Sequence, residues 1–258
     1  MSARSPARKP VLVVRPLRQQ DAFLQLLQQA AIDYEYQPIM AIEPIAETEP
    51  EAQLIENAVL GFAEFDYAIF ISANAAELGI KWLDKYWPML PAQQAVFAVG
   101  QHTESILRAY GFSPSAPSKQ QNTEGLLQEI PALQDLHNKS VIIFRGGGGR
   151  TTLADTLKRR GAAVTYCELY RRVVRADKLK AAQKLHSQCS CLVAHSGELI
   201  QAMGPADAET QAIPLVVPSE RVAEISRNLG YSKILVADNA LPDAMFATVK
   251  MALKESVI

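Results

Sequence analysis

A loop of glycines between two arginines is the part of the sequence whose residue types are best suited to chemistry. Arg145 precedes four consecutive glycines, Gly146–Gly149, and Arg150 follows them. Backbone N–H groups at a glycine loop and at a following helix start bind anions, and the arginines add positive charge. Because a tight turn needs fewer than four glycines, the loop favours close approach of a ligand over a purely conformational role. The stretch therefore predicts an anionic ligand.

The elements around this loop predict its position in the fold. Val141–Phe144 is a short apolar run typical of a buried strand. Apolar residues then recur at helical spacing from Leu153 to the helix stop Gly161, and an extended stretch continues to Val173. In a parallel sheet, ligands bind beyond the C-terminal ends of the strands, and this loop follows such an end.

Two nucleotide-binding motifs do not match the loop. A phosphate-binding loop of this kind needs a lysine followed by serine or threonine after its last glycine, whereas this chain has Arg150, Thr151 and Thr152. A dinucleotide fingerprint needs a glycine at the position of Thr151, and Glu168 is a weak match for its ribose-binding acid. A nucleotide-using transferase is therefore disfavoured.

Composition excludes several classes of protein. The chain has 258 residues, of which 48% are hydrophobic and 21% charged, as expected for a soluble globular protein. Its formal net charge of -1 offers no overall field for nucleic acid. No apolar run reaches membrane-spanning length, so no membrane association is expected. Residues 1–10 are basic and polar without the apolar segment of a secretory signal, which predicts a disordered tail and a cytoplasmic location.

The cysteines and histidines do not form a metal-binding pattern. Cys189 and Cys191 lie two apart at the start of a predicted strand, so their side chains are expected on the same side. Without further ligands nearby they are interpreted, with Cys167, as core or surface thiols in a reducing cytoplasm. The four histidines also lack metal-ligand spacing: His102, His137, His186 and His195.

Strand and helix patterns alternate along the whole chain, which predicts an α/β fold with parallel sheets covered on both faces. Strands are predicted at Val11–Val14, Tyr34–Pro38, Tyr67–Ile71, Ala95–Val99, Val141–Phe144, Cys191–Ala194, Ile213–Val217 and Lys233–Ala237. Besides the helix after the glycine loop, helices are predicted at Gln19–Ala31, Ile55–Leu60, Ala75–Tyr86, Thr103–Tyr110, Thr123–Ile130, Arg221–Leu229 and Asp243–Lys254.

The sequence also echoes itself weakly. Ala68–Gly79 resembles Cys191–Ile200, and Phe97–Phe112 resembles Leu215–Tyr231. The echo predicts two similar lobes, each a parallel sheet flanked by helices. A cleft between such lobes would collect the polar residues at the strand ends, namely Arg15, Ser72, Thr103, Arg145, Ser196 and Ser219.

A series of motifs follows a fixed order along the chain. The motifs are VLVVRP at 11–16, FISANA at 70–75, AVGQHT at 98–103, IIFRGGGGR at 142–150, YRR at 170–172, VPSERVAE at 217–224 and the segment from Gly230 to Val249. Together they resemble the uroporphyrinogen-III synthase family, over roughly Val11 to Leu253. The chain departs from the family where His195 takes a position more usually held by threonine, although Ser196 matches.

This resemblance implies two lobes joined by a two-stranded linker. The first lobe would comprise residues 1–38 and 174–258, and the second residues 41–170. Residues 37–45 and 168–174 would be the linker strands. A hinged pair of lobes would open and close around a substrate.

The resemblance also implies a reaction. The substrate would be hydroxymethylbilane, a linear tetrapyrrole with eight carboxylates, which cyclises to uroporphyrinogen III with loss of water and inversion of its last pyrrole ring. No metal or organic cofactor is expected. The protein would be a monomer, with a transient contact to the preceding pathway enzyme. Tyr170 matches the family's candidate acid for the leaving hydroxyl. The substrate-binding residues would be Arg15, Ser72, Asn74, Thr103, Arg145, Gly146, Gly147, Gly148, Ser196, Gly197 and Ser219.

Each of these roles has a structural alternative. Tyr170 could instead pack at a lobe junction, and the serine and threonine residues could cap helices. Arg15 and Arg145 could close salt bridges at strand ends. For the whole protein, the alternative is a non-catalytic, two-lobed module that binds a small anion.

Overall fold

The computed structural model describes residues 9–16, 21–89, 91, 94–149 and 151–255. Most of the predicted tail and Arg150 lie outside the described residues. The strands are β1 Val11–Pro16, β2 Tyr34–Pro44, β3 Tyr67–Phe70, β4 Ala95–Ala98, β5 Ser140–Gly146, β6 Ala163–Val174, β7 Cys191–Ala194, β8 Leu215–Val217 and β9 Ile234–Val236. The helices are α1 Ala22–Gln29, α2 Ala52–Leu60, α3 Ala73–Tyr86, α4 Gln101–Tyr110, α5 Thr123–Glu129, α6 Thr152–Arg159, α7 Ala176–His186, α8 Gly197–Met203, α9 Glu220–Asn228 and α10 Pro242–Glu255.

These elements form two compact units. Unit 1 is drawn from Met1–Ile42 and Val173–Ile258, and unit 2 is Glu43–Arg172. The long strands β2 and β6 are the two places where the chain passes between the units. None of the helices in the described ranges combines the length and apolar character needed to cross a membrane.

Unit 2 contains the strand order β4-β3-β5-β6, and its pairs are parallel. Phe70 of β3 pairs with Phe144 of β5, and their rings stack with centroids 4.4 Å apart. Gly79 of α3 lies against both rings, since a Cβ there would be 2.9 Å from Phe70 and 3.1 Å from Phe144. The opposite face packs Ile69 and Ile143 against α5 and α6.

Unit 1 contains the strand order β2-β1-β7-β8-β9, again with parallel pairs. Because side chains alternate along a strand, β1 contributes Leu12 and Val14 to one core and Val11 and Val13 to the other. The first core includes residues of α7, α8 and α9, and the second includes residues of α1 and α10. Helices therefore cover both faces, and the predicted α/β class is confirmed.

Three local predictions were wrong. Helix α7 was not predicted, because its exposed face carries most of its residues and only Ala182 and His186 are buried. Helix α1 begins at Ala22, because Asp21 has extended backbone angles and caps the helix that follows it, and the predicted start at Gln19 lies outside the described residues. Cys189 and Cys191 pack into opposite cores, since β7 begins only at Cys191 and Cys189 belongs to the preceding turn.

Candidate functional site

Tyr170 and Ser72 form a hydrogen-bonded pair in unit 2. Tyr170 lies on β6 and Ser72 follows β3, and 3.1 Å separates the Tyr170 hydroxyl from Oγ of Ser72. Oγ of Ser72 also accepts the backbone N–H of Ala75 at 3.1 Å, so the serine caps α3 as the structural alternative predicted. The Tyr170 side chain is only 2% exposed, which agrees with the packing alternative. Both structural alternatives are therefore observed, since Ser72 caps α3 and Tyr170 is packed in the interior. In addition, the phenol hydroxyl has a hydrogen-bond partner in Ser72.

Gly146 lies directly against the ring of Tyr170. The two residues are paired across β5 and β6 at an irregularity in the register that follows Arg145. A Cβ on Gly146 would be 2.3 Å from Cε2 of Tyr170, closer than real Cβ atoms approach. The glycine at this position is thus required by the tyrosine ring, whereas the sequence predicted approach of a ligand.

The other loop glycines have different roles. Gly148 and Gly149 adopt positive φ angles of +68° and +82°, a region that favours glycine. Gly147 does not, and a Cβ there would meet only ordinary contacts at 3.7 Å. The N–H of Gly147 donates to the carbonyl of Tyr170 at 2.7 Å. This N–H holds the loop to β6, so it is not directed to a ligand in this conformation.

The buried side chain of Arg145 fastens the same loop. Its Nε donates to the carbonyl of Gly146 at 3.0 Å, and its Nη2 donates to the carbonyl of Gly148. The guanidinium lies 4.6 Å from the ring centroid of Tyr166, and Nε is 3.7 Å from a carboxylate oxygen of Glu168. Arg145 therefore makes the internal contacts that the salt-bridge alternative anticipated, with carbonyls as additional acceptors.

Thr103 and Asn74 lie in the first turns of the helices that follow β4 and β3. Thr103 is buried, but it is the third residue of α4, and Gly100 precedes the helix. The capping alternative for Thr103 is therefore wrong, because α4 begins two residues earlier than predicted. Asn74 is exposed in the first turn of α3, two residues after Ser72.

In unit 1, Arg15 at the end of β1 forms a buried salt bridge. Its Nη1 lies 2.8 Å from Oδ1 of Asp21, and the same oxygen accepts the N–H of Phe23 at 3.0 Å. Arg15 and Asp21 are both buried. This contact is the strand-end ion pair that was the alternative to carboxylate binding.

The remaining predicted residues of unit 1 precede two helices. Oγ of Ser196 accepts the N–H of Leu199 at 3.4 Å, which is a long cap of α8. Gly197 is buried against Ile225, where a Cβ would be 2.7 Å from Cδ1. Ser219 precedes α9 with extended backbone angles, but its side chain makes no capping hydrogen bond. Unlike Ser72 and Ser196, Ser219 therefore does not use its hydroxyl to cap the helix that follows it.

His195 packs edge-on against Phe23, with ring centroids 5.2 Å apart.

Cys167 lies on β6, three residues before Tyr170. Burial raises the pKa of its thiol to about 12. At neutral pH this thiol is protonated, whereas the nucleophilic form of cysteine is the thiolate. Within the described residues, no group of three or more His, Cys, Asp or Glu side chains could hold a metal ion.

Arg172 lies near the loop but was not among the site residues predicted from the sequence. Its Nη2 lies 2.9 Å from the position that a Cβ of Gly149 would occupy. The period of two along a strand was the available signal, because it places Tyr170 and Arg172 on the same side of β6 beyond the register irregularity.

Comparison with known proteins identifies relatives along most of the chain. Residues 21–247 match the family described as Uroporphyrinogen-III synthase HemD. Uroporphyrinogen-III synthase of Escherichia coli (strain K12) is 33% identical over 221 residues, which are 80% of this chain and 88% of that protein. The enzyme of the same name from Salmonella typhimurium (strain LT2) is 36% identical over 173 residues, which are 64% of this chain and 69% of that protein.

Solved structures agree on the fold. A uroporphyrinogen III synthase mutant from the extremely thermophilic bacterium Thermus thermophilus aligns with a TM-score of 0.65 at 17% identity, over 95% of this chain and 99% of that one. Uroporphyrinogen-III synthetase from Helicobacter pylori aligns with a TM-score of 0.61 at 14% identity, over 96% and 99%. With the family match over residues 21–247, these findings lead to one conclusion: the chain belongs to the uroporphyrinogen-III synthase family.

Proposed function

We propose that this protein closes hydroxymethylbilane to uroporphyrinogen III. The terminal hydroxyl of the substrate leaves as water, and the last pyrrole ring is inverted before the macrocycle closes. The family match over residues 21–247 supports the activity. The 3.1 Å contact between Ser72 and Tyr170 supports the assignment of the acid.

The pair of hydroxyls can deliver a proton to the leaving oxygen. Because Oγ of Ser72 accepts the N–H of Ala75, its own hydrogen is available to donate to the phenol oxygen of Tyr170. In that arrangement the Tyr170 hydrogen points away from Ser72 and can be donated to the substrate. The opposite arrangement makes Ser72 the outer donor, with Tyr170 behind it. Either way, the two residues act as one weak acid.

A weak acid is sufficient for this step. The pyrrole nitrogen donates electrons toward the departing hydroxyl, so the C–O bond breaks readily once the oxygen is protonated. The larger task is geometric, since the terminal ring must be held where its substituted carbon can attack. We therefore assign to Tyr170 a modest contribution to the rate and to the surrounding site the control of the product isomer.

The eight substrate carboxylates explain the types of residue in the proposed site. Hydroxyls and backbone amides donate hydrogen bonds to carboxylates, and arginines add positive charge. We propose that the residues selected from the sequence bind these carboxylates and that each unit contributes one group of them. Unit 2 contributes Ser72, Asn74, Thr103, Arg145, Gly146, Gly147 and Gly148. Unit 1 contributes Arg15, Ser196, Gly197 and Ser219.

The two compact units are proposed to be the hinged lobes. Within unit 2, the backbone N–H of Ile45 donates to the carbonyl of Leu169. Within unit 1, the backbone N–H of Arg175 donates to the carbonyl of Ile39. These bonds support residues 37–45 and 168–174 as linker strands, with 1–38 plus 174–258 and 41–170 as the lobes. We also propose a monomer in the cytoplasm that meets the preceding pathway enzyme transiently and needs no metal or organic cofactor.

A coupled assay tests the activity. The preceding enzyme supplies fresh hydroxymethylbilane, and the products are oxidised and separated as isomers I and III. A synthase yields isomer III, whereas spontaneous closure yields isomer I. A protein that binds the oxidised product but yields isomer I alone, at the rate seen without protein, would instead be the non-catalytic anion-binding module.

A further inference from the structure

Two guanidinium groups meet at the last glycine of the loop. Nη2 of Arg172 lies 2.9 Å and Nη2 of Arg145 lies 3.4 Å from the position of a Cβ on Gly149. Any other residue at 149 would place a side-chain atom between the two cations. The absent side chain therefore leaves room for both arginines to approach the same point at the edge of unit 2.

The two arginines differ in their surroundings. Arg145 is 5% exposed and donates to two loop carbonyls, so its position is set by the loop. Arg172 is half-buried near the end of β6, so part of its side chain meets solvent. Glu168 adds one carboxylate, whose oxygen lies 3.7 Å from Nε of Arg145.

Two cations held near each other repel, and partial burial reduces the screening by water. An anion between them relieves the repulsion, and a planar guanidinium matches a carboxylate with two parallel hydrogen bonds. Resting on the proposed function, we propose that Arg172 binds one acetate or propionate side chain of the tetrapyrrole over Gly149, with Arg145 fixing the loop beneath it. Arg172 is then a specificity-determining residue for a substrate rich in carboxylates.

The neighbouring arginine provides a matched control. Nη2 of Arg171 lies 2.6 Å from Glu49 and 3.0 Å from Glu51. Because side chains alternate along β6, Arg171 points to the other side of the strand from Arg172. Arg171→Gln and Arg172→Gln therefore remove the same charge from adjacent positions of the same strand, and only the second removes the cation near Gly149.

The experiment compares these two variants in steady-state kinetics with hydroxymethylbilane. We expect Arg172→Gln to raise KM about 10-fold, the loss typical of one charged hydrogen-bonded contact, while kcat changes by less than about 2-fold. Arg171→Gln should leave KM near the wild-type value. Arg172→Lys should recover part of the loss, because it restores the charge without the two parallel donors.

A binding measurement separates recognition of the substrate from a structural role. Uroporphyrin III has eight carboxylates and coproporphyrin III has four, so wild-type protein should prefer the former and Arg172→Gln should reduce that preference. Equal KM values and equal porphyrin preference in the two glutamine variants would overturn the assignment of Arg172, even if thermal stability fell. Wild-type protein that yields only isomer I would instead overturn the proposed function itself.

Discussion

The ring of Tyr170 lies so close to the backbone of Gly146 that a Cβ at position 146 would not fit. A Cβ on Gly146 would lie 2.3 Å from Cε2 and 2.7 Å from Cζ of Tyr170. The phenol hydroxyl at the far end of that ring reaches Ser72 at 3.1 Å. The glycine loop thus has a direct structural link to the proposed acid, because it sets how deeply the tyrosine ring sits.

Gly146→Ala tests this link. We expect the added methyl to displace the Tyr170 ring and to lower the free energy of unfolding by about 1–3 kcal/mol, as overpacking typically does. Formation of isomer III should fall by more than stability explains, because the hydroxyl moves with the ring. Gly61→Ala is the matched control, since a Cβ there has ordinary contacts beginning at 3.4 Å. Wild-type turnover in Gly146→Ala would show that the ring position does not matter.

Tyr170→Phe removes the phenol while keeping the ring. The variant should lose about 1 kcal/mol of stability, typical of one hydrogen bond, and its turnover should fall by up to about 100-fold. The double variant with Ser72→Ala should lose little further turnover, because the two hydroxyls act together. Additive losses in kcat would contradict a single acidic pair, and unchanged kcat in Tyr170→Phe would assign the residue to packing.

The loop prediction is best tested at two adjacent glycines. Gly148 has a φ of +68°, and no atom of the described residues beyond its chain neighbours lies within 4 Å of its Cβ position, so Gly148→Ala introduces backbone strain of about 1–2 kcal/mol without a clash with them. Gly147→Ala introduces neither strain nor a clash. If the loop lies against substrate carboxylates, Gly147→Ala should weaken product affinity at unchanged thermal stability.

Gly111→Ala is the control for strain alone, since Gly111 has a φ of +108° and no atoms near its Cβ position. It should lower stability as Gly148→Ala does and leave product affinity unchanged. Wild-type affinity and an unchanged salt response in both loop variants would mean that the loop is only a turn.

His186 predicts a dependence of stability on pH. Burial lowers its pKa to about 4, an effect that the nearby Asp207 offsets only in part. In the described residues, its Nε2 has no hydrogen-bond partner, and its ring stacks on Tyr231 at 5.8 Å. The unfolded chain takes up a proton at His186 near pH 6.5, whereas the folded chain does so only near pH 4. Stability is therefore lost as pH falls through this window, by roughly 3 kcal/mol at most.

Unfolding free energies measured between about pH 7 and pH 4.5 test this prediction. His186→Leu should reduce the slope of stability against pH, whatever its effect at neutral pH. The exposed His137 provides the control His137→Gln, which should retain the wild-type slope. Asp66, whose pKa is lowered to about 2 mainly by the N–H of Ser140, titrates below this range. An identical slope in His186→Leu and wild type would contradict the assignment.

The alternation of strands and helices was predictable because each buried strand is a short apolar run and most helices carry a clear apolar face. Helix α7 was not, because it presents Lys178, Lys180 and Lys184 to solvent and buries few side chains. Short-range patterns also do not reveal that the chain leaves one unit and returns to it, since that depends on contacts between residues distant in sequence.

The residues of the candidate site were selected from sequence motifs, and their contacts could not be predicted in that way. The motifs indicated Tyr170 and Ser72, which are 98 positions apart, yet only the fold shows that their oxygens meet. Four glycines in a row suggested a ligand, whereas the ring of Tyr170 accounts for Gly146, a contact invisible from spacing. Strand alternation places Arg171 and Arg172 on opposite sides of β6, but only the fold shows that Arg171 meets Glu49 and Glu51 and that Arg172 lies near Gly149.

The isomer composition of the product, measured as protein concentration is raised, tests the central claim most directly. Spontaneous closure of hydroxymethylbilane to isomer I competes with any catalysed closure. If this chain is a synthase, the fraction of isomer III should rise with protein concentration until it accounts for nearly all of the product. An isomer III fraction that stays at the background level at every concentration, with freshly prepared substrate and folded protein, would contradict the account.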